Sequence, residues 1–333
     1  MKVLVLGASG YIGKRLVQRL QESGWATPVA ASRSAARGPR AVRLDATDAR
    51  ALEQAMSDVD AVVNCVAGSA RAIRDGATAL VQAASRSGCR TIVHFSSMSV
   101  YGEQEGELDE DAAKDSSIGW YARAKNDAEQ VIEGFAAGGG SAVILRPGCV
   151  WGPGSELWVG RIARLLEWRR LGDLGAAGDG WSNLVHVEDV CSAVLAALRQ
   201  PPAGGTTKAY NLSAPDSPRW NEYFVDLALH IGAVPVATVG RRQLLADSRF
   251  AAPPLKLLER AVQRVGGNAR WVPEVFPPGL LALFGRHLRL RSERAEKDLG
   301  VSWTPYAKTL PKVAEWWTST GHPLRHAAPL AAR

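Results

Sequence analysis

The chain has 333 residues, 46% hydrophobic and 22% charged, proportions that exclude a disordered, collagen-like or disulfide-scaffold protein. Its net charge of +7 comes from scattered arginines, with no basic run interleaved with aromatics. A solvated basic surface that favours phosphate-bearing ligands is therefore expected, not a nucleic-acid interface. The opening MKVLVLGASG meets glycine too early for a signal peptide, and no stretch approaches the ~20 apolar residues of an integral membrane segment. The short apolar run 278–284 reads as a buried or substrate-facing helix. Cys65, Cys89, Cys149 and Cys191 form no CxxC pair, and no metal-ligand cluster stands out among the histidines. Reduced, structural thiols in a cytoplasmic protein without a metal are expected.

Residues 2–6, KVLVL, are short, branched and apolar and read as a buried strand. Gly7 to Gly13 make a turn, and 14–21 carry helical spacing through Leu16, Val17 and Leu20. Further strands are expected at 28–31, 41–44, 59–65, 91–95 and 142–145, with helices near 49–56, 77–85 and 120–135. Such alternation implies βαβ units, a parallel sheet covered on both faces and right-handed crossovers. The expected fold is α/β, a doubly wound parallel sheet of the Rossmann type with a smaller C-terminal lobe. After Pro147 the pattern loosens: loop then helix over 154–174, strand into helix over 184–198, and a last core strand at 209–212. The expected division is a dinucleotide-binding domain over 1–212, with an excursion into the substrate lobe at about 154–182. A mainly α substrate-binding lobe over 213–333 completes it.

Gly7-Ala8-Ser9-Gly10-Tyr11-Ile12-Gly13 is GxxGxxG between a strand and a helix. Glycine lets the backbone approach a pyrophosphate, and the helix N-terminus offers free N–H groups and a positive dipole end. In this strand–turn–helix context the pattern is a dinucleotide fingerprint. An enzyme that uses NAD(H) usually places a carboxylate at the end of the second strand, to bond the ribose hydroxyls. Here that strand ends Ala31-Ser32-Arg33, with Arg37 beyond and no acid. The Arg33 guanidinium and Ser32 hydroxyl suit a 2′-phosphate, so NADP(H) is the expected cofactor. Asp45-Ala46-Thr47-Asp48 follows the third strand, where Asp45 is placed to face adenine while Thr47 or Asp48 caps the next helix.

Tyr121-Ala122-Arg123-Ala124-Lys125 sets a phenol and an ammonium at i and i+4 on one helix face. The ammonium is expected to lower the phenol's pKa and so prepare an acid/base. Upstream, the fifth strand runs out in Phe95-Ser96-Ser97-Met98, placing a serine hydroxyl at the sheet's carboxyl edge.

These elements together resemble the extended short-chain dehydrogenase/reductases, the NAD(P)-dependent epimerase/dehydratase superfamily. The likeness runs from Met1 to about Leu212 through GASGYIG, LDATD, VVNCVAG, FSSMSVYG, YARAK, LRPGCVWGPG and NLVHVEDV. A weaker echo follows in AYNLSAPDSPRWNEYF and RAEKDLGVSWTP. The resemblance implies that Ser97, Tyr121 and Lys125 are catalytic, with Ser96 the alternative to Ser97. It implies too that Val66, Ala67 and Gly68 line the adenosine side, and that Lys125, Pro147 and Gly148 meet the nicotinamide end. A homodimer built beside the Tyr121 helix is a further possibility it carries.

Three departures narrow the reaction. Trp181-Ser182-Asn183 stands where nucleotide-sugar members carry an Arg-Asp pair, and Met98-Ser99 stands where sugar dehydratases carry Asp-Glu. Large apolar groups, Met98, Trp120, Trp151, Trp158 and Trp181, gather around the expected crevice. Met98, Trp151, Trp158 and Trp181 are accordingly the candidate contacts to a small, apolar or aromatic substrate. The expected activity is NADP(H)-dependent hydride transfer to or from a carbonyl or alcohol. A (nucleotide-)sugar epimerase and a non-catalytic NADPH-binding protein are the alternatives.

Overall fold

The computed structural model describes residues 1–33, 40–240 and 278–320, with 242–243, 254, 257 and 261–262 between them. Arg37 lies outside the described residues. The strand-forming runs become β1 (Lys2–Leu6), β2 (Thr27–Ser32), β3 (Ala41–Arg43), β4 (Ala61–Asn64) and β5 (Thr91–Phe95). The short β6 (Gly106–Leu108) follows, then β7 (Ser141–Pro147), β8 (Cys149–Trp151), β9 (Leu184–His186) and β10 (Thr206–Leu212). Seven of these form one sheet in the order β10-β7-β5-β4-β1-β2-β3. Every pairing in it is parallel. The order reverses between β1 and β4, and open sheets of this kind bind ligands at such a switch point, outside the carboxyl ends of the strands.

Parallel strands need a helical crossover, so both faces are covered. The helices are α1 (Tyr11–Glu22), α2 (Ala49–Met56), α3 (Ala70–Ser87), α4 (Trp120–Ala137), α5 (Arg161–Glu167), α6 (Val187–Arg199) and α7 (Trp220–Ile231). Leu16 and Leu20 of α1 and Val190 and Val194 of α6 bury one face with Val3, Val5 and Val143. Leu52 of α2, Leu80 of α3 and Ile132 of α4 bury the other with Leu4, Leu6 and Ile144. Alternate residues of one strand therefore serve two cores, which is why these strands read as unbroken apolar runs.

Helix α1 starts at Tyr11, three residues before its apolar spacing begins, because Gly10 is its N-cap and Gly13 already lies inside it. Asp48 caps α2, accepting from the N–H groups of Arg50 and Ala51 at 3.0 and 3.1 Å.

The chain divides into two compact units: Met1–Val150 with Val185–Pro215 and Arg289–Thr304, and Trp151–Leu184 with Asp216–Leu288 and Pro305–Arg333. The segment 289–304 thus belongs with the sheet, although it follows the start of the expected C-terminal lobe. Ala295 and Val301 join the sheet's core, and Asp189 accepts from both the N–H and the hydroxyl of Thr304 at 2.8 and 2.6 Å. The second unit has an aromatic core. Trp220 of α7 lies 4.7 Å from Phe284, and Trp151 stacks on Tyr306 at 5.3 Å with Tyr223 at its edge. No helix among the described residues is long and apolar enough to cross a membrane.

Candidate active site

At the switch point the β1–α1 turn is shaped by two close approaches. Gly7 has φ +76°, and a Cβ there would sit 2.9 Å from the Cys65 carbonyl oxygen of the neighbouring strand's exit. A Cβ on Gly13 would lie 2.3 Å from the carbonyl oxygen of Gly7. Only glycine lets the turn fold so tightly onto the helix. The N-cap Gly10 offers no side chain to the helix end, and the first turn holds no acid. The N–H groups and positive dipole end therefore remain available to an anion.

A cavity of about 470 Å³ opens beside this turn. It brings together Gly7, Ser9, Gly10, Ser32, Arg33, Asp45, Ala46, Val66 and Ala67 of the candidate cofactor contacts. Tyr11, Ile12, Gly13, Gly68, Lys125, Pro147 and Gly148 are not in its lining. The ring of Tyr11 packs instead against the sheet's core, and its hydroxyl is buried without a partner. Ser32 is buried at the end of β2, next to the exposed Arg33. The Asp45 carboxylate accepts from the N–H and hydroxyl of Thr47, both at 2.9 Å. Those bonds, chiefly the backbone one, hold its pKa below the ordinary carboxylate value, helped by the nearby charges of Arg33 and Arg71. The glycine cradle, free helix end and basic cleft fit a nicotinamide dinucleotide. Arg71, in the first turn of α3, lines the same cleft and carries no recognisable motif.

The adjacent half of the sheet edge is built from α4 and the end of β5. Helices α3 and α4 meet through Ile73, Ala77, Ala124 and Ala128, with Tyr121 packed against them. Small residues let the helices approach closely and fix the angle at which Tyr121 leaves α4. Burial raises the Tyr121 pKa above the ordinary phenol value, with the neighbouring Ser97 hydroxyl acting in the opposite direction. Lys125 is fully buried, and its ammonium donates to the Phe95 carbonyl at 2.6 Å, 5.9 Å from the centre of the Tyr121 ring. The expected lowering of the Tyr121 pKa by this ammonium is therefore corrected. Desolvation of the phenol dominates, because Lys125 points at the end of β5. Burial also lowers the Lys125 pKa to about 8.

Ser97 and Ser96 face different surroundings. The Ser97 hydroxyl, on the Tyr121 side, accepts from the Ser99 N–H at 3.2 Å. Ser96 is buried beside Glu129. Below them lies a polar network that motif reading did not find. Arg146 of β7 donates two hydrogen bonds to Glu129, at 2.9 and 2.8 Å, and others to the Tyr101 hydroxyl and the Glu110 carbonyl. Burial disfavours the Glu129 carboxylate, but Arg146 more than compensates and keeps its pKa low. Asn64 joins the two halves. Its side-chain oxygen accepts from the Val66 N–H at 3.1 Å, so its amide donates to His94 Nδ1 at 3.1 Å. His94 is buried and stays neutral, its pKa pushed down to about 3 by desolvation and then by Lys125. The signals in the sequence were polar residues inside apolar strands: Asn64 in VVNC, His94 in TIVHF and Arg146 in VILRP.

Met98 opens the short turn Met98–Tyr101 after Ser97. The other three candidate substrate contacts belong to the second unit. Trp151 is enclosed by Tyr223 and Tyr306, Trp158 lies 5.6 Å from Trp220, and the Arg219 guanidinium covers Trp181 at 4.6 Å. Ser182 donates to the Pro218 carbonyl and Asn183 to that of Leu288, at 2.6 and 2.8 Å. Among the described residues no group of three or more His, Cys, Asp or Glu is arranged to hold a metal.

Fold and cleft together define a Rossmann-type dinucleotide enzyme. The chain belongs to the NAD dependent epimerase/dehydratase family, which it matches over residues 3–213. Two curated bacterial reductases are similar to it. The 3-diazoavenalumate denitrifying reductase of a Streptomyces species is 31% identical over 267 residues, 72% of this chain and 84% of that one. The 2-alkyl-3-oxoalkanoate reductase of Stenotrophomonas maltophilia is 30% identical over 257 residues, 70% of this chain and 76% of that one. Among solved structures, the UDP-glucuronic acid 4-epimerase of Bacillus cereus shares the fold. Its TM-score is 0.73 at 17% identity, covering 96% of this chain and 100% of that one.

Proposed function

We propose that this protein is a cytoplasmic, NADP(H)-dependent carbonyl reductase acting on an apolar or aromatic small molecule. The observation that carries the reading is the Tyr121 phenol set beside Ser97 at the end of β5, with Lys125 one helical turn further on. A nicotinamide dinucleotide held by the Gly7–Gly13 turn and the adjoining cleft would supply hydride for the carbonyl carbon. Ser97 and Tyr121 bind the carbonyl oxygen, and the Tyr121 phenol gives it the proton that completes the alcohol. Its raised pKa keeps that proton loaded at neutral pH, as a general acid requires. The Lys125 ammonium, donating to the Phe95 carbonyl, holds the end of β5 that carries Ser97.

Arg33 follows β2 in the cleft, and the sequence carries no acidic residue between it and Leu44, which supports a 2′-phosphate and hence NADP(H). The reductase relatives support net reduction over epimerisation. So do Ser182 and Asn183, whose side chains bond backbone carbonyls and offer no cation to a sugar-nucleotide diphosphate. The test is NADPH consumption by the full chain against a panel of aryl and alkyl ketones and aldehydes. Stoichiometric NADPH loss and alcohol formation are expected. An isomerised nucleotide sugar with no net NADPH loss would make it an epimerase, and binding without turnover would leave a non-catalytic protein.

A further inference from the structure

The cavity beside the glycine turn holds two guanidinium groups from different elements. Arg33 follows β2 and Arg71 begins α3, which follows β4; the strand between β2 and β4 is β1. The two side chains thus enter the cleft from opposite sides of β1. Asp45, from the loop after β3, lines the cleft with them. Arg33 makes no ion pair among the described residues. Arg71 is 82% exposed at its side chain and has one loose pairing, to Asp75 one turn along α3 at 3.5 Å. An exposed i,i+4 pair of that length holds a side chain weakly, so a ligand can draw Arg71 away from it.

We propose that Arg71 is a second specificity residue for the cofactor's 2′-phosphate, closing on it from α3 while Arg33 holds it from β2. This rests on the NADP(H) reading of the same cleft. A phosphate monoester is close to a dianion at neutral pH and has three acceptor oxygens, enough for two guanidinium forks. The same phosphate beside Asp45 would be repelled if only one cation were present. Asp45 already feels both arginines, and its Thr47 bonds keep its carboxylate turned into its own loop. Two cations to one fixed anion leave the cleft with the net positive charge that a dianionic group needs.

Calorimetric titration of the full chain with adenosine 2′,5′-bisphosphate and with 5′-AMP tests this without turnover, because the two ligands differ by the 2′-phosphate alone. Wild type is expected to bind the bisphosphate at least ten-fold more tightly. Arg71→Ala should weaken the bisphosphate by about ten-fold and 5′-AMP by less than two-fold. Asp75→Asn should tighten the bisphosphate modestly, and only while Arg71 is present. Equal loss of both ligands in Arg71→Ala would place Arg71 at the other phosphates and overturn the inference, as would no loss of either. If Arg33→Ala removes the preference and Arg71→Ala does not, the inference about Arg71 fails while NADP(H) stands. If wild type shows no preference at all, the NADP(H) reading itself fails and Arg71 with it.

Discussion

The two halves of the sheet's carboxyl edge rest on different physics. Between β1 and β3 the cleft is open, floored by backbone and rimmed by exposed arginines that make few internal bonds. Around β5 and β7 the polar groups are buried and interlocked: Lys125 on the Phe95 carbonyl, Arg146 on Glu129 and Tyr101, Asn64 on His94. In the first half a substitution should alter affinity and little else. In the second, a side chain can serve chemistry and stability at once, and only its atom-by-atom removal separates the two.

Tyr121→Phe makes that separation most sharply. It removes the phenol oxygen and leaves the packing against α3, so turnover should fall by about 10²–10⁴-fold with cofactor affinity and melting temperature nearly unchanged. A near-normal rate in this variant would remove Tyr121 as the acid. Glu129→Ala is the structural counterpart. It strands the buried Arg146 charge and should cost about 3–5 kcal/mol, read as a lower denaturant midpoint. Removing Arg146 as well, as Glu129→Leu with Arg146→Met, should restore much of the loss. Additive losses would mean that the ion pair is not what the site relies on.

A pH profile gives the next largest effect. The Lys125 ammonium positions the end of β5, and with it Ser97, through its bond to the Phe95 carbonyl, and burial sets its pKa at about 8. In the reductive direction kcat/KM should be level through neutrality and fall by about ten-fold per pH unit above 8, with one proton lost. The same burial affects stability with a definite sign. Between about 8 and the ordinary lysine value near 10.5, the unfolded chain keeps a proton that the folded chain releases. Raising pH across that window should therefore relieve part of the cost of burying Lys125. Lys125→Met should flatten both dependences.

The sequence carried the open half of the edge well and the buried half poorly. GASGYIG states its own backbone requirements, since Gly7 and Gly13 each sit where a Cβ would collide, and the lack of an acid after Arg33 is plain from residue identity. Tyr121 and Lys125 share a helix face by spacing alone. The direction of the Tyr121 pKa was not legible, because it depends on how far α3 buries the ring and where Lys125 points. Likewise, the join between Glu129 and Arg146 spans α4 and β7, and nothing local to either marks it. The return of 289–304 to the sheet rests on contacts of Ala295, Val301 and Thr304 made far from their own place in the chain.

The most direct measurement is a fluorescence titration of NADPH and NADH into wild type, Arg33→Ala and Tyr121→Phe. If the open half selects the cofactor by charge and the buried half supplies the proton, wild type should prefer NADPH by at least ten-fold. Arg33→Ala should weaken NADPH by roughly ten- to a hundred-fold and leave NADH almost untouched. Tyr121→Phe should bind both as wild type does. Equal affinity of wild type for NADPH and NADH, with Arg33→Ala neutral toward both, would contradict the account and make NAD(H) the cofactor.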